Sequence, residues 1–324
     1  MAVRIGFIGV GGIAEHHIKT LQKIEHAVVS AVYDINEARA REMAEKYGAE
    51  AFASAEALMD SGQVDALFVC TPPFARDGSG IEEQAARRGL HLLAEKPVGL
   101  SMAEVREKER VILESGIIHS SGYCFRYMDI VAQAKEYLAD KEIAMVMAYR
   151  FGGLPGVRWW RMLEQSGGQL VEMATHQLDL IRYLAGDFQE VNAIHAQRHI
   201  RQIDPEATAY DVGTVSFTLR SGAIGNITST SMAKYVGKGA VEIYGHNFFL
   251  SVEGNVLRIV DDAQDITIKS KQDYYYEQDK AFVEAIRTGR RELVLSTFSE
   301  AAETLAVTLA ANESAGSRQT VVLK

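Results

Sequence analysis

Ile5-Gly6-Phe7-Ile8-Gly9-Val10-Gly11-Gly12-Ile13-Ala14 decides the fold of this chain. An apolar run of strand type stops at a glycine and passes directly into a helical pattern. The spacing is Gly9-x-Gly11-x-x-Ala14. Gly9 permits the tight turn, Gly11 lets backbone approach a pyrophosphate, and Ala14 is small enough for close helix–strand packing. Gly12 and Ile13 open the helix, whose N-terminal N–H groups and partial positive charge suit phosphate. The next apolar run ends in Val32-Tyr33-Asp34, 20 residues after Ala14, where a ribose-binding carboxylate belongs. A carboxylate there accepts both ribose hydroxyls of NAD and repels the 2′-phosphate of NADP, so NAD is favoured over NADP.

Outward from this turn, strand-like runs at residues 4–9, 27–33, 65–70, 90–94 and 117–120 alternate with helical patterns at 14–23, 35–47, 81–88 and 103–114. That alternation predicts an α/β domain with a doubly wound parallel sheet over residues 1–121. Ser101 followed by Glu104 reads as a capping box. Beyond residue 121 the pattern changes. A helix at 128–138 and a strand at 143–151 lead to a loop rich in Gly, Pro, Arg and Trp, then to a helix at 166–184 closed by Gly186. Strands follow at 191–198, 213–219, 223–229, 239–244, 248–252, 256–259 and 265–268, and helices at 277–288 and 299–311 end the chain. Residues 122–324 are therefore expected to form an α+β domain with a large, mostly antiparallel open sheet. If Ile224, Ile227, Val241 and Ile243 face outward on that sheet, they need cover, which predicts a homodimer or homotetramer.

Three stretches carry candidate chemistry. Thr71-Pro72-Pro73 leaves a strand at its carboxyl end, the edge where open α/β sheets bind ligands. Thr71 and Pro72 are thus expected to flank the dinucleotide. Glu95-Lys96-Pro97 leaves another strand at the same edge. A lysine beside a glutamate is ordinarily a surface ion pair, but beside a dinucleotide site Lys96 can stabilise alkoxide charge on a substrate oxygen. Glu172, His176 and Asp179 recur at i, i+4 and i+7 on one helix face. His176 suits proton exchange near neutrality, and Glu172 can orient or relay for it. A metal reading lacks a third ligand, so no metal is expected. Arg158-Trp159-Trp160-Arg161 offers stacking faces for a sugar-like ring, with an exposed basic–aromatic loop or a core anchor as the plain alternative, and Tyr235, between two predicted strands, is a weaker candidate of the same kind.

The bulk composition narrows the partners. The formal net charge is −9, from 34 Lys and Arg against 43 Asp and Glu, which disfavours nucleic acid. Two cysteines supply no disulfide framework. No run of 18 apolar residues marks a membrane span, and the apolar residues 3–10 are too short for a signal segment, so a cytoplasmic location is expected.

Taken together, the Gly9-x-Gly11-x-x-Ala14 turn, Glu95-Lys96-Pro97 and the Gly167-Gly168 to Asp179 stretch resemble the glucose–fructose oxidoreductase and inositol dehydrogenase superfamily (Gfo/Idh/MocA type) over nearly the whole chain. That resemblance implies an oxidoreductase transferring hydride between nicotinamide and a secondary alcohol of a polyol, sugar or related cyclic compound. It gives Lys96 the catalytic lysine role, places Glu95 beside the cofactor, and assigns Arg126, in Gly122-Tyr123-Cys124-Phe125-Arg126-Tyr127, and Asp179 to the substrate. Two departures stand out. Glu172 replaces the usual Asp, and Arg76 stands where a His commonly follows Thr-Pro-Pro. The rival readings are an NADP-linked carbonyl reductase and a silent dinucleotide-sensing regulator.

Overall fold

The strand β1 (Val3–Ile8) is buried along most of its length, as is the parallel strand beside it at Ala66–Val69, which is why both read as continuous apolar runs rather than alternating ones. The computed structural model describes residues 2–323. Its chain runs β1, α1 (Gly12–Leu21), β2 (Ala27–Tyr33), α2 (Glu37–Tyr47), β3 (Glu50–Ala51), α3 (Ala55–Asp60), β4 (Ala66–Val69), α4 (Ile81–Arg87), β5 (His91–Ala94), α5 (Met102–Ser115) and β6 (His119–Ser121). These six strands form one parallel sheet in the order β3-β2-β1-β4-β5-β6. The order reverses between β1 and β4, and in such sheets the ligand crevice lies outside the carboxyl ends of the strands at that point.

The chain continues through α6 (Asp129–Leu138), β7 (Ile143–Phe151), α7 (Leu163–Ser166), a π-helical turn (Leu170–Ala174), α8 (Thr175–Ala185), β8 (Phe188–Ala196), α9 (Ile200–Ile203), β9 (Val212–Leu219), β10 (Ile224–Thr230), β11 (Lys238–Gly245), β12 (Phe248–Glu253), β13 (Val256–Asp261) and β14 (Asp265–Lys269). It ends with α10 (Tyr274–Thr288), α11 (Phe298–Ser317) and β15 (Val321–Val322). The second sheet has nine strands in the order β14-β13-β12-β11-β7-β10-β9-β8-β15 and is antiparallel except where β10 pairs with β7. Helix α8 packs across β7 and β11, and α6 packs on α8 and β13. The expected fold class, a doubly wound parallel sheet with an α+β part built on a mostly antiparallel sheet, is the one observed. Helix α11 is apolar and long enough to cross a membrane by length and composition, and 56% of its apolar window is buried inside the protein, as in a core helix.

Contacts divide the chain into two compact units, Met1–Tyr127 with Asp273–Ala302, and Met128–Gln272 with Glu303–Lys324. The expected boundary at 121/122 lies near Tyr127, but residues 273–302 return to the first unit. Phe282, Val283, Ala285 and Val294 complete the apolar core around Ile5, Phe7, Ile18 and Phe68.

Several local expectations change. The helix expected over 166–184 is interrupted, because Gly167 and Gly168 take left-handed φ values of 70° and 90° and the chain restarts as the π turn. The capping box does not form: Glu104 Oε2 instead accepts from Gly78 N at 2.6 Å, while Ser101 makes no side-chain cap. On the second sheet Ile227, Val241 and Ile243 are buried, and of the four residues expected to face outward only Ile224 does, with 58% exposure. Ile224 and Ile227 are three apart on one strand, so alternation puts them on opposite faces. Other exposed apolar residues of this sheet are Met145, which pairs in register with Ile224, Met147 and Ile194.

Candidate functional site

In the first unit the glycine turn is built as its spacing requires. Gly9 has φ 81°, and a Cβ there would lie 2.9 Å from Thr71 Cγ2 and 3.0 Å from Thr71 N, so no side chain fits. Cβ atoms on Gly11 and Gly12 would meet nothing within 4 Å, leaving open space at the N-terminus of α1, where Ile13 and Ala14 complete the first turn. Asp34 closes the turn from β2: its Oδ2 accepts from Val10 N at 2.8 Å and its Oδ1 from Asn36 N at 2.9 Å. The N-cap of α2 is Asn36, so Asp34 keeps acceptor capacity for a ligand. Thr71 and Pro72 leave β4 beside Gly9. Thr71 Oγ1 is buried and has no hydrogen-bond partner among the described residues. An open glycine cradle, a helix N-terminus, a part-used carboxylate and an orphaned hydroxyl at one sheet edge fit a dinucleotide.

Lys96 leaves β5 at the same edge and is half-buried. Its neighbours are fixed by buried charge. Arg76, 0% exposed, donates Nη1 to Glu95 O and, at 2.7 Å, to Pro97 O, gripping the main chain on both sides of Lys96. Arg76 in turn pairs through Nε with Glu82 at 3.0 Å, and Lys108 reaches Glu82 and donates to Arg76 O at 3.0 Å. The residue that departs from the family's usual His is thus a clamp on the Lys96 segment.

Glu95, expected beside the cofactor, is turned inward. Its Oε2 accepts from Lys96 N at 3.0 Å and its Oε1 accepts from His17 Nε2 at 3.1 Å. His17 Nδ1 faces Asp279 at 2.8 and 2.9 Å. Burial alone would lower the imidazole's pKa, but Asp279 and Glu95 outweigh it and push His17 up to about 10. His17 is therefore an imidazolium that gives an N–H to each carboxylate. Burial pulls Glu95 up, yet His17, Lys96 and Arg76 together hold it below the usual carboxylate range. Asp279 is pushed up by its burial, which His17 and Gln278 offset only in part. Arg126, expected at the substrate, is buried and donates to Leu295 O at 2.9 Å and Glu300 Oε2 at 3.0 Å, both within this unit.

In the second unit the Gly167-Gly168 turn sets the other candidates. A Cβ on Gly168 would strike the Tyr210 ring at 2.6 Å. Tyr210 donates its hydroxyl to Asn312 Oδ1 at 2.8 Å, and Asn312 Nδ2 donates to Gly167 O at 2.7 Å. This latch starts the π turn carrying Glu172, which is buried, and π turns recur at functional sites. His176, half-buried, lies in the first turn of α8. Asp179, the third member of the expected face, is buried and accepts from Thr304 Oγ1 at 3.0 Å, which ties α8 to α11. Trp159 and Trp160 stand 5.5 Å apart in a short 3₁₀ turn, both half-buried. Trp160 lines a small cavity with Met173, Tyr210, Ser231 and Gln169. Tyr235 is 91% exposed on a loop, with Lys234 over its ring. No group of three or more metal-ligating side chains occurs among the described residues.

Sequence reasoning missed His17, Asp279, Gln169 and Arg150. Gln169 was within reach, since it stands at i−3 from Glu172 and i−7 from His176 on the same face. Its Oε1 is buried without a hydrogen-bond partner among the described residues. His17 and Asp279 are 262 positions apart, and no local pattern joins them.

Residues 3–123 match the oxidoreductase family with an NAD-binding Rossmann fold, and residues 131–249 match the GFO/IDH/MocA C-terminal domain. The chain belongs to this family. It is an NAD-binding oxidoreductase, as its motifs imply. Among curated relatives, the myo-inositol 2-dehydrogenase of Thermotoga maritima is 28% identical over 301 residues, covering 89% of each chain. The NAD-dependent scyllo-inositol 2-dehydrogenase of Bacillus subtilis is 26% identical, covering 96% of this chain and 94% of its own. A solved structure of a probable dehydrogenase from Thermotoga maritima superposes with a TM-score of 0.84 at 25% identity, covering 99% of this chain and 98% of the other.

Proposed function

We propose that this protein is an NAD-dependent dehydrogenase that oxidises a secondary alcohol of a polyol, sugar or related cyclic compound, or reduces the matching ketone. The observation that carries the reading is Lys96. It leaves β5 at the sheet edge where Gly9, Asp34 and Thr71 gather, and Arg76 and Glu95 hold its main chain. Residues so fixed suit a cation that must meet a substrate oxygen in one place. NAD, when bound, supplies the hydride acceptor. The glycine turn would receive its pyrophosphate and Asp34 its ribose hydroxyls. Lys96 stabilises negative charge on the alcohol oxygen, His176 takes the hydroxyl proton, and Glu172 orients His176. Trp159 and Trp160 give the sugar ring an apolar face. The names of the inositol dehydrogenase relatives support this substrate class.

Self-association belongs to the same reading. Met145, Met147, Ile194 and Ile224 lie on the outward face of one mostly antiparallel sheet, and a second copy would cover them. The test of function is a panel of inositols, sugars and sugar acids with NAD, followed by nicotinamide absorbance. Turnover on at least one cyclic polyol or sugar, lost in Lys96→Met, supports the proposal. Tight NAD binding with no turnover anywhere on the panel would identify a dinucleotide-sensing regulator instead.

A further inference from the structure

Arg150 stands apart from the other buried cations of this protein. Strand β7 alternates, and Val146 and Ala148 point into the unit; Arg150, next on that face, is half-buried. It pairs in register with Ser229 of β10 on one side and Gly239 of β11 on the other. Two glycines keep room for it. A Cβ on Gly152 would sit 2.7 Å from Arg150 Nη1, and one on Gly239 would sit 3.2 Å from Arg150 Cδ and 2.8 Å from Gln177 Nε2. The arginine stem and the Gln177 amide therefore meet over the bare backbone of Gly239. Gln177 is the residue after His176 in α8.

The charge on this guanidinium has no internal counterpart among the described residues. Arg76 pairs with Glu82, Arg126 with Glu300, Arg161 with Asp204 and Arg182 with Asp187. Arg150 has no carboxylate in ion-pairing range among the described residues. Of its five N–H donors, the structure shows one used, donated by Nη1 to Phe151 O. Burial alone pulls its pKa down, with no acid opposing. Close by, Gln177 Oε1 is buried, 4% exposed, and lacks a donor among the described residues. A fork of unused donors beside an unused acceptor is the complement of an anion that also carries a hydroxyl.

We propose that Arg150 is an anion-binding residue, and that the compound this protein acts on bears a carboxylate or phosphate that docks on its guanidinium while a neighbouring hydroxyl donates to Gln177. The planar fork matches two oxygens of either anion, which a lysine would meet only as a point charge. The inference rests on the dehydrogenase reading and narrows its substrate from neutral polyols to sugar acids or phosphorylated sugars.

The test uses the full-length, NAD-loaded protein and matched probes. Glucose is compared with glucuronate and with glucose 6-phosphate, and glycerol with glycerate, by calorimetric binding and by turnover. Wild type should bind at least one anionic probe about tenfold or more tightly than its neutral partner. The glucuronate and phosphate arms tell which anion is read. In Arg150→Met that ratio should fall towards one, and in Arg150→Lys part of it should remain. A ratio taken within one variant cancels any loss of folded protein. Equal binding of neutral and anionic probes by wild type, or a preference that survives Arg150→Met, overturns the proposal. Arg150-dependent anion binding without turnover on any probe, or on the wider panel of inositols, sugars and sugar acids, would keep this site and reject the dehydrogenase reading. Turnover of neutral probes with no anion preference would do the reverse.

Discussion

Replacing His17 by glutamine should destabilise the first unit severely and with a particular pH signature. His17 is fully buried and donates to Asp279 at 2.8 Å and to Glu95 at 3.1 Å. The shorter, neutral amide could reach only one of them, leaving two buried carboxylates without their shared cation. Breaking a buried pair by removing one partner costs about 3–5 kcal/mol. At about 2–4 °C per kcal/mol for a unit of this size, the melting temperature should drop by about 6–20 °C. The sign of the pH dependence follows from the direction of the shift. His17 is raised to about 10 from an ordinary 6.5, so its contribution is fully present below pH 6.5 and is lost as pH rises towards 10. The stability gap between wild type and His17→Gln should therefore narrow across that window. Denaturant unfolding at a series of pH values, with calorimetry, measures it. A loss under about 1 kcal/mol, well below the cost of breaking a buried pair, or a gap constant from pH 6.5 to 10, would refute the ionic arrangement of His17, Asp279 and Glu95.

Asp34→Ala should weaken NAD binding by about tenfold to a hundredfold, the scale of one charged hydrogen-bond pair, and narrow the preference over NADP; titration with both cofactors checks it. Lys96→Met should cut turnover by about a hundredfold or more while NAD affinity changes little, and His176→Ala should flatten the pH limb that reports the catalytic base. Ile224→Glu with Met147→Glu should convert an oligomer to monomers, read by light scattering; a wild-type monomer at micromolar concentration would reject that surface as an interface.

The nucleotide-binding half of the fold was legible because its signals are local. Gly9, Gly11, Ala14 and Asp34 lie within one strand–helix–strand unit, and each meets its structural requirement there. Lys96 was legible for the same reason, standing straight after a strand. What holds Lys96 was not. Arg76 looks like an ordinary loop arginine until the fold buries it, and His17 like a helix-surface histidine until Asp279 arrives from the far end of the chain. Periodicity also misleads where strands are read without register. Ile227, Val241 and Ile243 read as outward candidates and point inward, since composition alone does not say which face of a strand meets the helices. The helix expected over 166–184 failed at Gly167 and Gly168, which take left-handed φ values and lie too close to Val171 and Tyr210 to carry a Cβ.

The return of residues 273–302 to the first unit bears on how the protein is made. A chain emerging from the ribosome at about 5–20 residues per second presents its first 127 residues early. At that moment the core around Phe7, Ile18 and Phe68 still lacks Phe282, Val283, Ala285 and Val294, and His17 still lacks Asp279. That core thus stays unfinished until residues 273–302 have been made. A fragment ending at Tyr127 would expose that unfinished core and be a substrate for chaperones and proteases, whereas the folded unit is sealed by residues 273–302. Cutting this chain near the middle of its sequence would therefore separate core partners that lie on opposite sides of the cut.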